Sequence, residues 1–280
     1  MILQNKNAVI YGAGGSLGGA VAKALSAAGA RVFLTGRNLA SVQKVAEEIL
    51  RSGGRADVDK LDALDETEIK THMEMAVKTA RTIDISFNAI GVAVVQNIPL
   101  VDMMPGDFIH PINFAMQTQF LTATAAGRVM MKQGSGVILS LTATPGGIGY
   151  PYTGGFASAC CAMECFSTNL ASELGPYGVR VVNMRSAGSP DSRIFKDAIE
   201  RQPEEMETVL QQMKKDTMLK NLPLMADIAN VAVFLSSDLA GKITGVTIDI
   251  TCGTTASLNY RATKPDKKGE NLFQTLTSKK

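Results

Sequence analysis

The sequence is poor in what a membrane, a metal ion or a nucleic acid would use. No stretch approaches the roughly 20 apolar residues that a membrane span needs, and the start, Met-Ile-Leu-Gln-Asn-Lys-Asn, lacks the apolar core of a secretory leader. A cytoplasmic protein is expected on both grounds. His72 and His110 are the only histidines, and neither has cysteine or paired carboxylates at ligand spacing, so no metal site is expected. The four cysteines are Cys160, Cys161, Cys165 and Cys252; three crowd one helical stretch, which suits reduced thiols and not a disulfide framework. The net charge of +2 forms no basic stripe, and the one basic run (Lys264, Lys267, Lys268, Lys279, Lys280) reads as a solvated end, so no nucleic-acid partner is expected. Charged residues are only 19% of the chain, which suits an oligomer with covered faces. One absence is local: no lysine occurs between Lys132 and Lys196.

Apolar residues make up 45% of 280, enough for one large core. Short β-branched runs alternate with longer helical stretches. Strands are expected at 7–11, 31–35, 56–60, 83–88, 137–141, 179–184 and 246–250. Helices are expected at 16–28, 39–51, 66–78, 106–131, 155–174, 193–215 and 226–236. Continuous apolar strands separated by helices predict a doubly wound parallel sheet covered on both faces, a three-layer α/β/α single domain over 1–262. Residues 263–280 read as a polar tail.

The first strand runs into Tyr11-Gly12-Ala13-Gly14-Gly15-Ser16-Leu17-Gly18-Gly19. Glycines there let the backbone turn tightly and approach a pyrophosphate, and the next helix offers free N–H groups to it. The stretch resembles the Thr-Gly-x-x-x-Gly-x-Gly loop of the short-chain dehydrogenase/reductase family, with Tyr11 for the threonine and Ser16 for the middle glycine. Further parts of that pattern follow in order. Asp62-Ala63 resembles the pair beside the adenine, and Asn88-Ala89-Ile90-Gly91 resembles Asn-Asn-Ala-Gly after the fourth strand. Asn113 resembles the helix asparagine that supports a proton-relay water. Ser186-Ala187-Gly188 stands where Pro-Gly closes over the nicotinamide, and 234–245 resembles the C-terminal signature. The resemblance covers about residues 5–255. It implies a Rossmann-type fold and a nicotinamide dinucleotide held by Gly12, Gly14, Gly15, Ser16, Leu17, Gly18, Asp62, Ala63, Asn88, Ala89, Gly91 and Gly188. It also implies a dimer or tetramer built through residues 106–131 and 155–174. After the second strand the chain has Gly36-Arg37 where NAD-specific proteins carry an acid; a guanidinium suits a 2′-phosphate, so NADP(H) is preferred over NAD(H).

The family's chemistry rests on a tyrosine, a lysine four residues later, and a serine thirteen residues before the tyrosine. Aligned on Leu170–Gly175, these positions hold Phe156, Cys160 and Ala143. Three readings stay open. The acid has moved, with Tyr150 or Tyr152 supplying a proton and Thr142 or Thr144 holding a substrate oxygen, which asks least of the site with an activated carbonyl or an enone. Or the protein binds the dinucleotide without turnover, as a sensor or a partner subunit of an active relative. Or Cys160 is a nucleophile near a helix start. Methionines between 206 and 225 lie where the family often forms a lid, which points to an apolar substrate.

Overall fold

The computed structural model describes residues 1–256. The expected tail at 263–280, and the last residues of the expected domain, lie outside them. Seven strands form one all-parallel sheet: β1 (Asn7–Tyr11), β2 (Arg31–Gly36), β3 (Arg55–Lys60), β4 (Ile85–Asn88), β5 (Gly136–Ala143), β6 (Val179–Ser186) and β7 (Val246–Ile250). Their order is β3-β2-β1-β4-β5-β6-β7. Among the described residues eight α-helices accompany them: α1 (Ser16–Ala27), α2 (Leu39–Arg51), α3 (Glu66–Ala80), α4 (Pro105–Gln133), α5 (Phe156–Leu174), α6 (Arg193–Arg201), α7 (Pro203–Asp216) and α8 (Met225–Ser236). The expected doubly wound α/β/α domain is therefore what the chain forms.

Alternation along the strands builds two apolar layers, because successive side chains point to opposite faces. Ala8 and Ile10 of β1 join Val32, Leu34, Ile85 and Phe87 under α1, α2 and α8. Val9 and Tyr11 join Phe33, Ile138 and Val181 under α3, α4 and α5. Helix starts follow local chemistry: the Asn38 side chain accepts from Ser41 N, and that of Asp65 accepts from Thr67 N and Glu68 N. The helix expected at 193–215 is instead two. Pro203 begins α7, and Gln202 before it is non-helical (φ −142°, ψ 67°), since proline disfavours a helical residue ahead of it. β5 and β6 run to Ala143 and Ser186, beyond their expected ends at 141 and 184. That extension carries both strands into the cleft described below.

β1 and β4 are neighbours whose onward connections go opposite ways, to β2 on one side and β5 on the other. Such a switch point opens a crevice at the carboxyl ends of the strands. Behind it, His72 is buried beside Tyr11, with ring centroids 6.4 Å apart, and its Nε2 lies 3.6 Å from Asp59 Oδ2. Burial lowers the His72 pKa more than Asp59 raises it. The folded chain thus refuses a proton that the unfolded chain binds below about pH 6.5. The His72 contribution is complete above that pH and is lost as pH falls through it toward the depressed folded value. Urea midpoints taken from about pH 7 to 5.5 should therefore fall more in the wild type than in His72→Leu; equal slopes would exonerate His72.

Candidate active site

A cleft of about 690 Å³ occupies the switch point. Its floor depends on glycine. Gly12 has φ +75°, and a Cβ on Gly18 would lie 2.3 Å from the Gly12 carbonyl oxygen, so the first turn of α1 rests directly on the loop. Gly18 shapes the loop from behind, while Gly12, Gly14, Gly15, Ser16 and Leu17 face the cleft. Ser16 Oγ turns away from the loop and accepts a hydrogen bond from Arg193 N at 2.9 Å, tying the start of α6 to it. Ser192, Arg193 and Ile194 consequently line the same cleft, a contribution that loop motifs near the N-terminus did not disclose.

At the end beyond β2, Arg37 is exposed on the cleft wall and has no hydrogen-bond or ion-pair partner among the described residues. Asp62 and Ala63 form the adjoining wall, in a turn where Asp62 Oδ1 accepts from Leu64 N at 3.1 Å. Asn88, Ala89 and Gly91 line the middle. Buried Asn88 donates to Thr122 Oγ1 and accepts from Ile90 N, both at 3.0 Å, which holds the turn after β4. Asn113 is exposed on the outer side of α4 and does not line the cleft; buried Ala115, with Phe114 and Thr118, lines it instead. The expected asparagine is thus two positions out of phase, and α4 presents no asparagine there.

A second cavity, about 560 Å³, adjoins the first. Three residues line both: Ala143 at the end of β5, Phe156 at the start of α5, and Ser186 at the end of β6. The walls of the second are largely apolar, among them Pro145, Ile148, Pro151, Met213 and Leu222. Gly188 and Thr144 line this cavity and not the first. Tyr150 lines it as well, whereas Tyr152, 56% exposed at φ +62°, lines neither, because its left-handed turn carries it outward. Two of the methionines between 206 and 225 reach the cavities, Met213 the second and Met225 the first.

Under this junction lies a polar ladder on one face of β5, β6 and β7. Ser140 Oγ donates to Asn183 Oδ1 at 2.7 Å, and Asn183 Nδ2 donates to Thr142 Oγ1 at 2.8 Å. Thr142 Oγ1 donates its only proton to Glu164 Oε1 at 2.8 Å, so in this arrangement it has none for a substrate oxygen. Arg185 closes the ladder. Its guanidinium donates through Nε and Nη2 to Glu164 and through Nη1 to Asp249 Oδ2 at 3.0 Å. Those bonds hold its pKa above the usual arginine value. Cys160 sits against this cluster and the Ala143 backbone. Burial, reinforced by Glu164, pushes its thiol up to about 11, so it is a neutral thiol at pH 7. This opposes the nucleophile reading. His110 is exposed on α4, and no group of three or more His, Cys, Asp or Glu residues able to hold a metal exists among the described residues.

The fold and cleft together define a dinucleotide-type α/β protein, and comparison with known proteins narrows the class. A family profile described as enoyl-(acyl carrier protein) reductase matches residues 12–255. The 7α-hydroxysteroid dehydrogenase of Escherichia coli K12 is 28% identical over 259 residues, covering 92% of this chain and 97% of its own. The 3-oxoacyl-[acyl-carrier-protein] reductase of Aquifex aeolicus is 27% identical over 257 residues, covering 90% and 98%. The crystal structure of levodione reductase superposes with a TM-score of 0.84 at 22% identity, over 91% of this chain and all (100%) of that one, which shows the shared fold. The chain belongs to the short-chain dehydrogenase/reductase family and is of oxidoreductase type. No helix among the described residues is long and apolar enough to cross a membrane.

The Arg185 cluster has a measurable consequence for stability. Glu164 and Arg185 side chains are each 14% exposed, so removing one charge leaves the other poorly solvated. Glu164→Ala should lower unfolding free energy by about 2–4 kcal/mol at pH 7 in urea titrations. A loss below about 0.5 kcal/mol would class the pair with solvent-exposed ones.

Proposed function

We propose that the protein is an NADP(H)-dependent oxidoreductase with a non-standard active site, acting on an apolar carbonyl or enone. The observation that carries this is the joining of two cavities, one floored by the glycine loop and one largely apolar, at a junction formed by Ala143, Phe156 and Ser186. The residues present suit a nicotinamide dinucleotide. The Gly12–Gly18 contact keeps the loop free of side chains behind the expected pyrophosphate, and Asn88 props the turn beneath the expected nicotinamide. When bound, the cofactor supplies or accepts a hydride. Arg37, unpaired among the described residues, supports NADP(H) over NAD(H), since such a guanidinium is available to a 2′-phosphate.

The chain's own residues constrain the proton. Phe156 keeps an aromatic ring at the junction but carries no acid, and the Cys160 thiol bears no positive charge. Tyr150 is the candidate donor, because its position reaches the second cavity where that of Tyr152 does not. A tyrosine hydroxyl with no lysine to activate it serves better as a proton donor to a developing alkoxide than as a base, which favours reduction over oxidation. The hydroxysteroid named in the E. coli relative is an alcohol on an apolar skeleton, and oxidation of such an alcohol gives an apolar ketone. Assembly as a homo-oligomer through α4 and α5 is part of the same proposal. It is supported by Phe120, half exposed on α4 and 6.0 Å from the Phe166 ring of α5.

Calorimetry with NADPH and NADH tests the cofactor. NADPH should bind at least tenfold more tightly, and Arg37→Ala should erase that margin while leaving NADH unchanged, a difference of about 1.4 kcal/mol. Binding of neither cofactor would sink the proposal. Binding with no turnover of any carbonyl or enone, and no loss on Tyr150→Phe, would favour the alternative of a non-catalytic dinucleotide-binding protein.

A further inference from the structure

We infer that the substrate-anchoring hydroxyl of this site has crossed from β5 to the neighbouring strand, and that Ser186 holds the substrate oxygen where Ala143 cannot. The inference rests on the proposed reading of the junction as the place of reaction, and it assigns a residue within it. Ala143 and Ser186 are register partners at the ends of parallel β5 and β6. Neighbouring strands lie roughly 4.8 Å apart, so a hydroxyl lost at one position and present at the other still addresses the same space. Both residues line both cavities, as does Phe156. Of these three, only Ser186 has a side chain that forms hydrogen bonds.

The Ser186 hydroxyl is also less engaged than those of Thr142 and Thr144. Among the described residues its Oγ reaches only the Thr142 carbonyl, at 3.5 Å, the outer limit of a hydrogen bond. Thr142 is committed to Glu164 and Asn183 at 2.8 Å each and lines the first cavity alone. Thr144 lines only the second cavity and donates to the Ser186 carbonyl at 3.4 Å. Ser186 is half-buried, and turning its proton to a substrate oxygen sacrifices one marginal contact. The backbone beneath it is rigid, because Arg185, the preceding residue, is fixed by Glu164 and Asp249. A hydroxyl is too weak an acid to protonate the product oxygen, so Ser186 orients and polarises the carbonyl while the proton comes from elsewhere.

The test uses the full chain with NADP⁺ and a bicyclic ketone such as 1-decalone, ¹³C-labelled at the carbonyl; this pair cannot react, so binding is read without turnover. In the wild type the bound carbonyl resonance should move downfield by a few ppm. Ser186→Ala should abolish that shift and weaken ketone binding about fivefold to tenfold, the loss of one hydrogen bond. Ser186→Ala combined with Ala143→Ser should restore both, as should Ser186→Thr, while NADP⁺ binding stays constant throughout. A second arm reads activity in Phe156→Tyr/Cys160→Lys, which restores an acid and a cation. Ketone reduction in that background should already match the version that also carries Ala143→Ser, and it should fall about tenfold on adding Ser186→Ala. A shift that survives Ser186→Ala, or a background active only with Ala143→Ser, would overturn the inference. Failure of the wild type to bind NADP⁺ would overturn the cofactor reading itself. NADP⁺ binding with no saturable ketone binding would spare the cofactor reading and overturn this one.

Discussion

Gly18 rests against the carbonyl of Gly12 with no space for a carbon atom between them. The rest of the cleft follows from that contact. It brings the first turn of α1 down onto the end of β1, which turns the free amides of that helix toward the crevice where β1 and β4 part company. β2 then delivers Arg37 to one end of the crevice, and β4 delivers Asn88 to its middle. A side chain at position 18 would push the helix off the loop, and no later substitution could recover the approach. Position 16 tolerates a side chain because its hydroxyl points to Arg193, where it recruits α6 as an additional wall.

The other half of the site is organised by charge. Arg185, Glu164 and Asp249 come from β6, α5 and β7 and meet beneath the junction. Thr142, Asn183 and Ser140 extend the cluster along the strands, so the polar side chains of that sheet face find partners in one another. Such a ladder spends its hydrogen-bonding capacity on rigidity. It holds the ends of β5 and β6 in register, and with them the three residues that border both cavities.

Much of this was legible in the sequence, for reasons that differ between elements. The sheet was legible because its strands are continuous apolar runs with helical stretches between, and β1, α2 and β7 fall where the pattern puts them. The glycine loop was legible because its residues are consecutive and each has a steric task. Asn113 was misplaced because two positions along a helix rotate a side chain by about 200°, enough to move it from the cleft to solvent. Tyr152 was misplaced because nothing local announces a left-handed turn at a tyrosine. The break at Pro203 was signalled by the proline itself, yet the helical pattern on either side masked it. The Glu164–Arg185–Asp249 cluster could not be read at all, since its members lie 21 and 64 residues apart and meet only through the fold.

The unequal count in that cluster bears on what position 160 could hold. One guanidinium faces two carboxylates, and Cys160 beside it feels Glu164 more strongly than Arg185. A cationic side chain at position 160 would therefore have the Glu164 carboxylate beside it, a charge from which the neutral thiol gains nothing. Changing Cys160 alone to lysine would restore a cation there but not the hydroxyls that Ala143 and Phe156 lack.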